Sequence, residues 1–319
     1  MNGAFAKNMP LPGLLGLLSL IGLSVVLGGG AQRAREKSMD NSSISSIQKM
    51  KSALVQIAYS AEVSAGRVWG VGGTGFLVSK GPYVITNYHV IQKTLEQLRR
   101  AGARNVGLTV GLPIPDQVFG KGNVIKASFT HVGFDVVEVD APHDIALLKL
   151  ANDPFKGEVR TGIVYDGQEL PLRVSVARLR PEMPPEGTTL LVSGYPLQIP
   201  TMITQSGIVA SQSFQVIEKE VPGAPPWFRM PEVVDALFLD AVVNPGNSGG
   251  PVYLPNSGVV VGICQANVRS PIRFQDGDPV FVQRGNSQEI LEQNAGIGVV
   301  IPIRYAILLL EKRKVSYER

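Results

Sequence analysis

From about Ala53 onward the chain runs in short apolar, β-branched segments cut apart by Gly, Pro, Asn and Asp, and that punctuation limits what it can become. Examples are ALVQIAYS (53–60), GTGFLVS (73–79), YVITNYHVI (83–91), VGLTVGL (106–112), IALLKL (145–150), TLLVSGYP (189–196), GVVVGICQA (258–266) and GIGVVIPI (296–303). Many short strands at near-regular spacing, with turn signals between them, predict an all-β barrel or sandwich. Val90–Arg100 and Ile303–Lys314 read as helices, and the polar, serine-rich stretch 32–50 reads as a linker with the start of a short helix. Gln212–Val234 and Ser270–Asn294 are the longest irregular stretches, and loops of that length are expected to wall a cleft or cover it.

Composition removes several function classes. The chain is 44% hydrophobic and 18% charged, with a net charge of +4 spread along its length. There is no basic stripe interleaved with aromatics, so nucleic-acid binding is not expected. Cys264 is the one cysteine, which rules out an internal disulfide framework or a thiolate metal cage. The histidines are His89, His131 and His143, with no H-E-x-x-H pattern, so neither a metal site nor a cofactor is expected. Residues 8–32 carry no charge and are flanked by Lys7 and by Arg33, Arg35 and Lys37. That segment reads either as a secretory signal ending at Gly29-Gly30-Ala31 or as a membrane anchor over 11–31, and both place the rest outside the cytoplasm. The expected organisation is leader 1–31, polar linker 32–52 and one folded domain 53–319.

Within the β-rich part, Asn244-Pro245-Gly246-Asn247-Ser248-Gly249-Gly250-Pro251 puts a serine on a glycine-flanked turn. Such a turn exposes a hydroxyl beside backbone N–H groups that can converge on an oxyanion. The same residue types also build ordinary turns. Chain order separates the nucleophile readings. An α/β-hydrolase needs a histidine after its serine, and all three histidines precede Ser248. An Asp-His-Ser order would need an aspartate before His89, where only Asp40 stands. The order His, Asp, Ser remains, and it belongs to a double β-barrel. In ITNYHVI (85–91) His89 stands at the end of a hydrophobic strand, where a helical stretch begins, a rigid mount for a general base. Asp144 immediately precedes the strand IALLKL, where its carboxylate can be buried against that imidazole. Asp135, Asp140 and His143 compete for these places without combining the same position with a following strand.

Three separated segments resemble the trypsin-like serine proteases of the HtrA/DegP type. They are Gly73-Thr74-Gly75-Phe76-Leu77-Val78 running on to Thr86-Asn87-Tyr88-His89-Val90, then Asp144-Ile145-Ala146-Leu147-Leu148, then Asp240 through Pro251. Gly194-Tyr195-Pro196, Gln205-Ser206-Gly207-Ile208-Val209 and Gly296-Ile297-Gly298 are similar as well, so the resemblance spans about 53–307 in the right order. It implies a chymotrypsin-like double six-stranded β-barrel with a C-terminal helix. It further implies His89 as general base, Asp144 as its orienting partner and Ser248 as nucleophile, with Gly246, Ser248 and Asn247 at the oxyanion hole.

By the same resemblance the pocket ahead of the scissile bond would be built from Val242, Val243, Asn267, Val268 and Ile297. Val242 stands where a Lys/Arg-specific enzyme needs an aspartate, so small aliphatic residues are the expected preference. The implied activity is that of an endopeptidase acting on unfolded or damaged polypeptides of the cell envelope. A weakly active chaperone or binding module on the same fold is the rival reading, and an esterase is a weaker one. Members of the family often carry PDZ domains after the protease domain; none is expected here, where the sequence ends shortly after its last helical stretch. An insertion is expected around Leu112–Glu138, because His89 and Asp144 are far apart in sequence. In the family such regions shape the cleft and mediate trimer contacts, so the resemblance implies a homotrimer whose contact loops differ.

Overall fold

The computed structural model describes residues 41–114, 117–119, 123–125, 128–165, 167–199, 201–220, 229–275, 277–284 and 287–319. The leader over 1–31 lies outside the described residues. Among those described, no helix is long and apolar enough to cross a membrane.

In chain order the first half contains helix α1 (Asn41–Ala53), strands β1 (Leu54–Val63), β2 (Gly66–Leu77) and β3 (Tyr83–Asn87), helix α2 (Tyr88–Arg100), and strands β4 (Arg104–Ile114), β5 (Gln117–Phe119), β6 (Asn123–Ile125), β7 (Ser128–Val132), β8 (Phe134–Asp140) and β9 (Ile145–Leu150). The second half contains β10 (Val164–Tyr165), β11 (Gln168–Glu169), β12 (Arg178–Leu179), β13 (Thr189–Gly194), β14 (Ile203–Glu220), β15 (Arg229–Asp240), β16 (Pro251–Tyr253), β17 (Val259–Pro271), β18 (Phe281–Arg284), β19 (Ser287–Ile290) and β20 (Glu292–Pro302), and ends in helix α3 (Arg304–Lys312).

Two sheets carry the fold, each nominally of seven strands. The first runs β7-β4-β1-β2-β3-β9-β8. Its two edge strands are separated in sequence only by Gly133, so β7 and β8 are one bent strand that serves both edges and closes a six-stranded barrel. The second runs β12-β17-β16-β13-β14-β15-β20 and closes through a β17–β20 pairing. There β12 is a two-residue parallel addition to β17, so this ring is also six-stranded. The expected double six-stranded architecture with a C-terminal helix is what the chain forms.

The barrels meet on a shared apolar seam, which explains why the strands read as continuous apolar runs rather than as alternating ones. In β9, Ile145 and Leu147 point into the seam while Ala146, Leu148 and Leu150 fill the first barrel. In β13, Leu191 faces the seam and Leu190 and Val192 fill the second barrel; in β17, Ile263 and Cys264 divide in the same way. Strands buried on both faces lose the polar alternation that a half-exposed strand keeps. Helix α3 covers the seam with Ala306, Ile307 and Leu310, and α1 adds Met50 and Ala53.

The structure departs from the sequence expectations mainly in the segments read as loops. Part of the stretch read as a linker is helix α1, tied to the domain by the Ser175 hydroxyl donating to the Lys49 carbonyl at 2.8 Å and by Ser43 to Asn256 at 3.0 Å. The segments read as long irregular loops are mainly extended hairpins. The β14/β15 register continues from Ser211↔Phe238 to Glu220↔Arg229, and β17/β20 continues to Pro271↔Glu292 beside the β18/β19 hairpin. Proline and glycine near the tips disguised strands whose backbone pairing supplies the order that their side chains do not signal. The stretch read as an insertion contains the β5/β6 hairpin.

Leu147 is fully buried and Lys149, on the same strand, is exposed. Leu147→Ala should lower unfolding free energy by about 2–5 kcal/mol, whereas Lys149→Ala should stay within about 0.5 kcal/mol. Guanidinium titration of both variants checks this; equal losses would contradict the seam.

Candidate active site

Strand register brings the first two groups together. β3 pairs with β9 so that Asn87 faces Ile145, which sets residues 88–89 beside residue 144. The Asp144 carboxylate then accepts from the His89 backbone N–H at 2.8 Å and meets His89 Nδ1 at 2.6 Å. Its carbonyl accepts from the Tyr88 N–H at 3.0 Å and from Asn87 Nδ2 at 2.9 Å. Asp144 adopts φ 55°, a left-handed conformation that disfavours a side chain with a Cβ. The surrounding hydrogen bonds hold it there, and such strain concentrates where geometry matters to function. With Nδ1–H donated to the carboxylate, Nε2 is the basic nitrogen of the ring. The two side chains are 24% and 14% exposed, so the pair is partly desolvated yet open on one side.

Gln265 adds a further contact that sequence reading missed. Its Nε2 donates to Asp144 Oδ2 at 3.2 Å, and its backbone carbonyl accepts the Ser248 hydroxyl at 2.9 Å. One residue of β17 therefore touches both the acid and the serine. Its only advance signal was a place shortly after the buried run VVVGIC.

The Ser248 turn is held by its own carbonyls. The Pro245 carbonyl accepts from the Leu197 N–H at 2.8 Å, and the Asn247 carbonyl accepts from the Gly250 N–H at 2.9 Å. In a planar trans peptide N–H points opposite to C=O, so the N–H groups of Gly246 and Ser248 face away from these partners. Neither donates to a protein group among the described residues. Asn247, expected beside them, is placed differently: its N–H is taken by the Asn244 carbonyl at 3.0 Å and its side chain is buried, so it does not join the free donors. Glycine is required at 249, where φ is +84° and a Cβ would lie 2.1 Å from the Thr74 carbonyl oxygen.

His89, Asp144, Gly246, Ser248 and Gln265 line one cleft of about 1210 Å³ between the barrels. Val243 and Asn267 also line it, although the Val243 side chain packs in the second barrel's core and Asn267 Oδ1 accepts from the Val243 N–H at 3.0 Å. Val242, Val268 and Ile297 are not among the lining residues; Val242 is 49% and Ile297 37% exposed. The competitors sit apart. His143 pairs with Asp140 at 2.8 Å and stacks on Tyr305, and Asp135 is exposed on β8. His131 bonds Thr109 at 3.2 Å. Among the described residues no cluster of His, Cys, Asp and Glu could hold a metal ion.

Residues 73–263 match the model of the trypsin-like peptidase domain. The chain belongs to that family. Similar proteins include "Protease Do-like 1, chloroplastic" of Arabidopsis thaliana, 27% identical over 64% of this chain and 35% of that protein. "Serine protease Do-like HtrA" of Lactococcus lactis subsp. cremoris is 29% identical over 61% of this chain and 37% of its own length. "Probable periplasmic serine endoprotease DegP-like" of Brucella suis biovar 1 is 27% identical over 69% and 32%. The matched part of the chain thus spans about a third of each of these relatives.

Two outcomes follow for this trypsin-like domain. Gly249→Ala should destabilise the turn and reduce any serine reactivity at least ~10-fold, read as the rate of covalent labelling by a serine-directed reagent; an unchanged rate would contradict the close packing. Burial pushes the Cys264 thiol up to about 12, so almost no thiolate forms at pH 8 and the thiolate is the reactive form. Native protein should therefore resist Ellman's reagent and release one equivalent only after unfolding. Rapid native reaction would show that the site opens.

Proposed function

We propose that the chain is an exported serine endopeptidase that cleaves polypeptides through an acyl-enzyme. The observation that carries this reading is the meeting of the His89–Asp144 pair, from the first barrel, with the Ser248 turn, from the second, in a single cleft. Ser248 Oγ exchanges the Gln265 carbonyl for His89 Nε2 and attacks the peptide carbonyl as Nε2 takes its proton. Asp144 holds the tautomer and stabilises the imidazolium. The developing oxyanion is met by the N–H groups of Gly246 and Ser248. The imidazolium then protonates the leaving amine, and water releases the acyl group by the reverse sequence. The acyl transfer requires no metal or cofactor.

Substrate would lie extended along β17. Beyond Ile263 that strand keeps its pairing with β20 but has lost β16, which leaves the edge from Gln265 to Arg269 open at the cleft. An open edge accepts a peptide by main-chain hydrogen bonding. The preference for small aliphatic residues before the scissile bond belongs to this proposal; its support is the resemblance, which puts Val242 where a Lys/Arg-specific enzyme carries an aspartate, and not a pocket wall, since Val242 does not line the cleft. Export and action on unfolded envelope proteins are supported by the periplasmic relative and by the uncharged segment 8–32.

One observation favours a slower, binding-type protein: the Ser248 hydroxyl rests on the Gln265 carbonyl and not on His89. Cleavage of a denatured protein substrate decides between them. The native chain should generate peptides, Ser248→Ala should generate none, and Asp144→Asn should lower kcat by about 10⁴-fold. Binding without cleavage by the native chain would leave the chaperone reading in its place.

A further inference from the structure

The motif Gly73-Thr74-Gly75-Phe76 is left without a role by the triad, yet Thr74 is fully buried and reaches the Ser248 turn from the opposite barrel. Its backbone N–H donates to the Ser248 carbonyl at 2.9 Å. Its hydroxyl donates to the Gly246 carbonyl at 2.6 Å and accepts the Tyr195 N–H at 3.0 Å. Its own carbonyl accepts the Thr86 hydroxyl at 2.6 Å, which fixes Thr74 in place. A hydroxyl has one proton to give. Since the Tyr195 N–H can only donate, that proton is directed to Gly246.

The pattern of these bonds along the turn is selective. The peptides 245–246 and 247–248 carry the two outward N–H groups. The peptides that follow each of them, 246–247 and 248–249, are the ones whose carbonyls Thr74 holds. Planarity transmits this hold: fixing the alternate planes leaves the donor planes little freedom to rotate. The turn itself offers little resistance, because Gly246 (φ +101°), Gly249 and Gly250 lack the Cβ that restricts ordinary residues. Tyr195 extends the clamp. It is followed closely by Leu197, which at φ 55° donates its N–H to the Pro245 carbonyl.

We propose that Thr74 is a positioning residue for the oxyanion hole: its hydroxyl and N–H, supplied by the first barrel, keep the Gly246 and Ser248 amides aimed into the cleft. The inference rests on the serine-protease reading of the same site. It assigns Thr74 no contact with substrate. Valine retains the shape but offers neither donor nor acceptor, whereas serine retains both.

The test is steady-state cleavage of a peptide amide by the wild-type chain and by Thr74→Val, Thr74→Ala and Thr74→Ser, with thermal unfolding followed in parallel. Loss of a single oxyanion donor costs roughly 10²–10³ in kcat, and misaimed donors should forfeit part of that. Thr74→Val should lower kcat by at least ~10-fold with KM within about twofold, and Thr74→Ser should stay within about threefold of wild type. Should Thr74→Val fail to fold, Ala and Ser differ at this position only by the hydroxyl: Ala at least ~10-fold below Ser in kcat supports the assignment, and equal kcat overturns it. A folded Thr74→Val with a lowered melting temperature and wild-type kcat overturns it too, by showing a structural role alone. An inert wild-type chain would overturn the protease reading together with this inference, whereas an active wild type with insensitive variants would overturn the inference alone.

Discussion

Everything at the cleft depends on the apolar seam between the barrels. His89 and Asp144 are carried by the first barrel and Ser248 and Gln265 by the second, so no local turn can bring them together. The seam does so because its strands are apolar on both faces. Phe76, Ile85 and Leu147 from one side meet Leu191, Tyr253 and Ile263 from the other. Close packing at this density resists small displacements, and that stiffness sets the relative position of acid, base and serine.

Polar contacts across the same junction then refine the geometry. Gln265 reaches back to Asp144, and Thr74 reaches forward to the serine turn. Both are buried or nearly so, where an unmade hydrogen bond costs about 1–3 kcal/mol. The left-handed Asp144 and Leu197 are held in sparsely populated conformations by these same neighbourhoods. Conformational freedom has thus been removed from the Ser248 turn by its surroundings rather than by its own glycine-rich sequence.

The repeated short apolar runs, the turn residues between them and the order of His89, Asp144 and Ser248 pointed to a double barrel, and the resemblance to HtrA/DegP-type segments named the groups that share the cleft. Other features were hidden for physical reasons. Helix α1 looked like linker because it is rich in serine and short of large apolar residues; Ser43 and Ser46 are nonetheless buried, and Met50 and Ala53 enter the seam with Ile47 packed beside them. The β14/β15 and β17/β20 extensions looked like loops because proline and glycine interrupt their sequence, whereas their order comes from backbone pairing, which residue composition does not encode. Gln265 and Thr74 were hidden because their importance lies in direction, which composition does not encode. Asn247 was expected at the oxyanion hole, and the turn geometry instead commits its N–H to Asn244.

The central claim is that Ser248 is a nucleophile activated by its neighbours across the junction. The most direct measurement is mass spectrometry of the chain after treatment with a fluorophosphonate, with the adduct located on its peptide. The account predicts a single adduct at Ser248 that is lost in His89→Ala. No adduct on the native chain, or one at another serine with Ser248 unmodified, would contradict it.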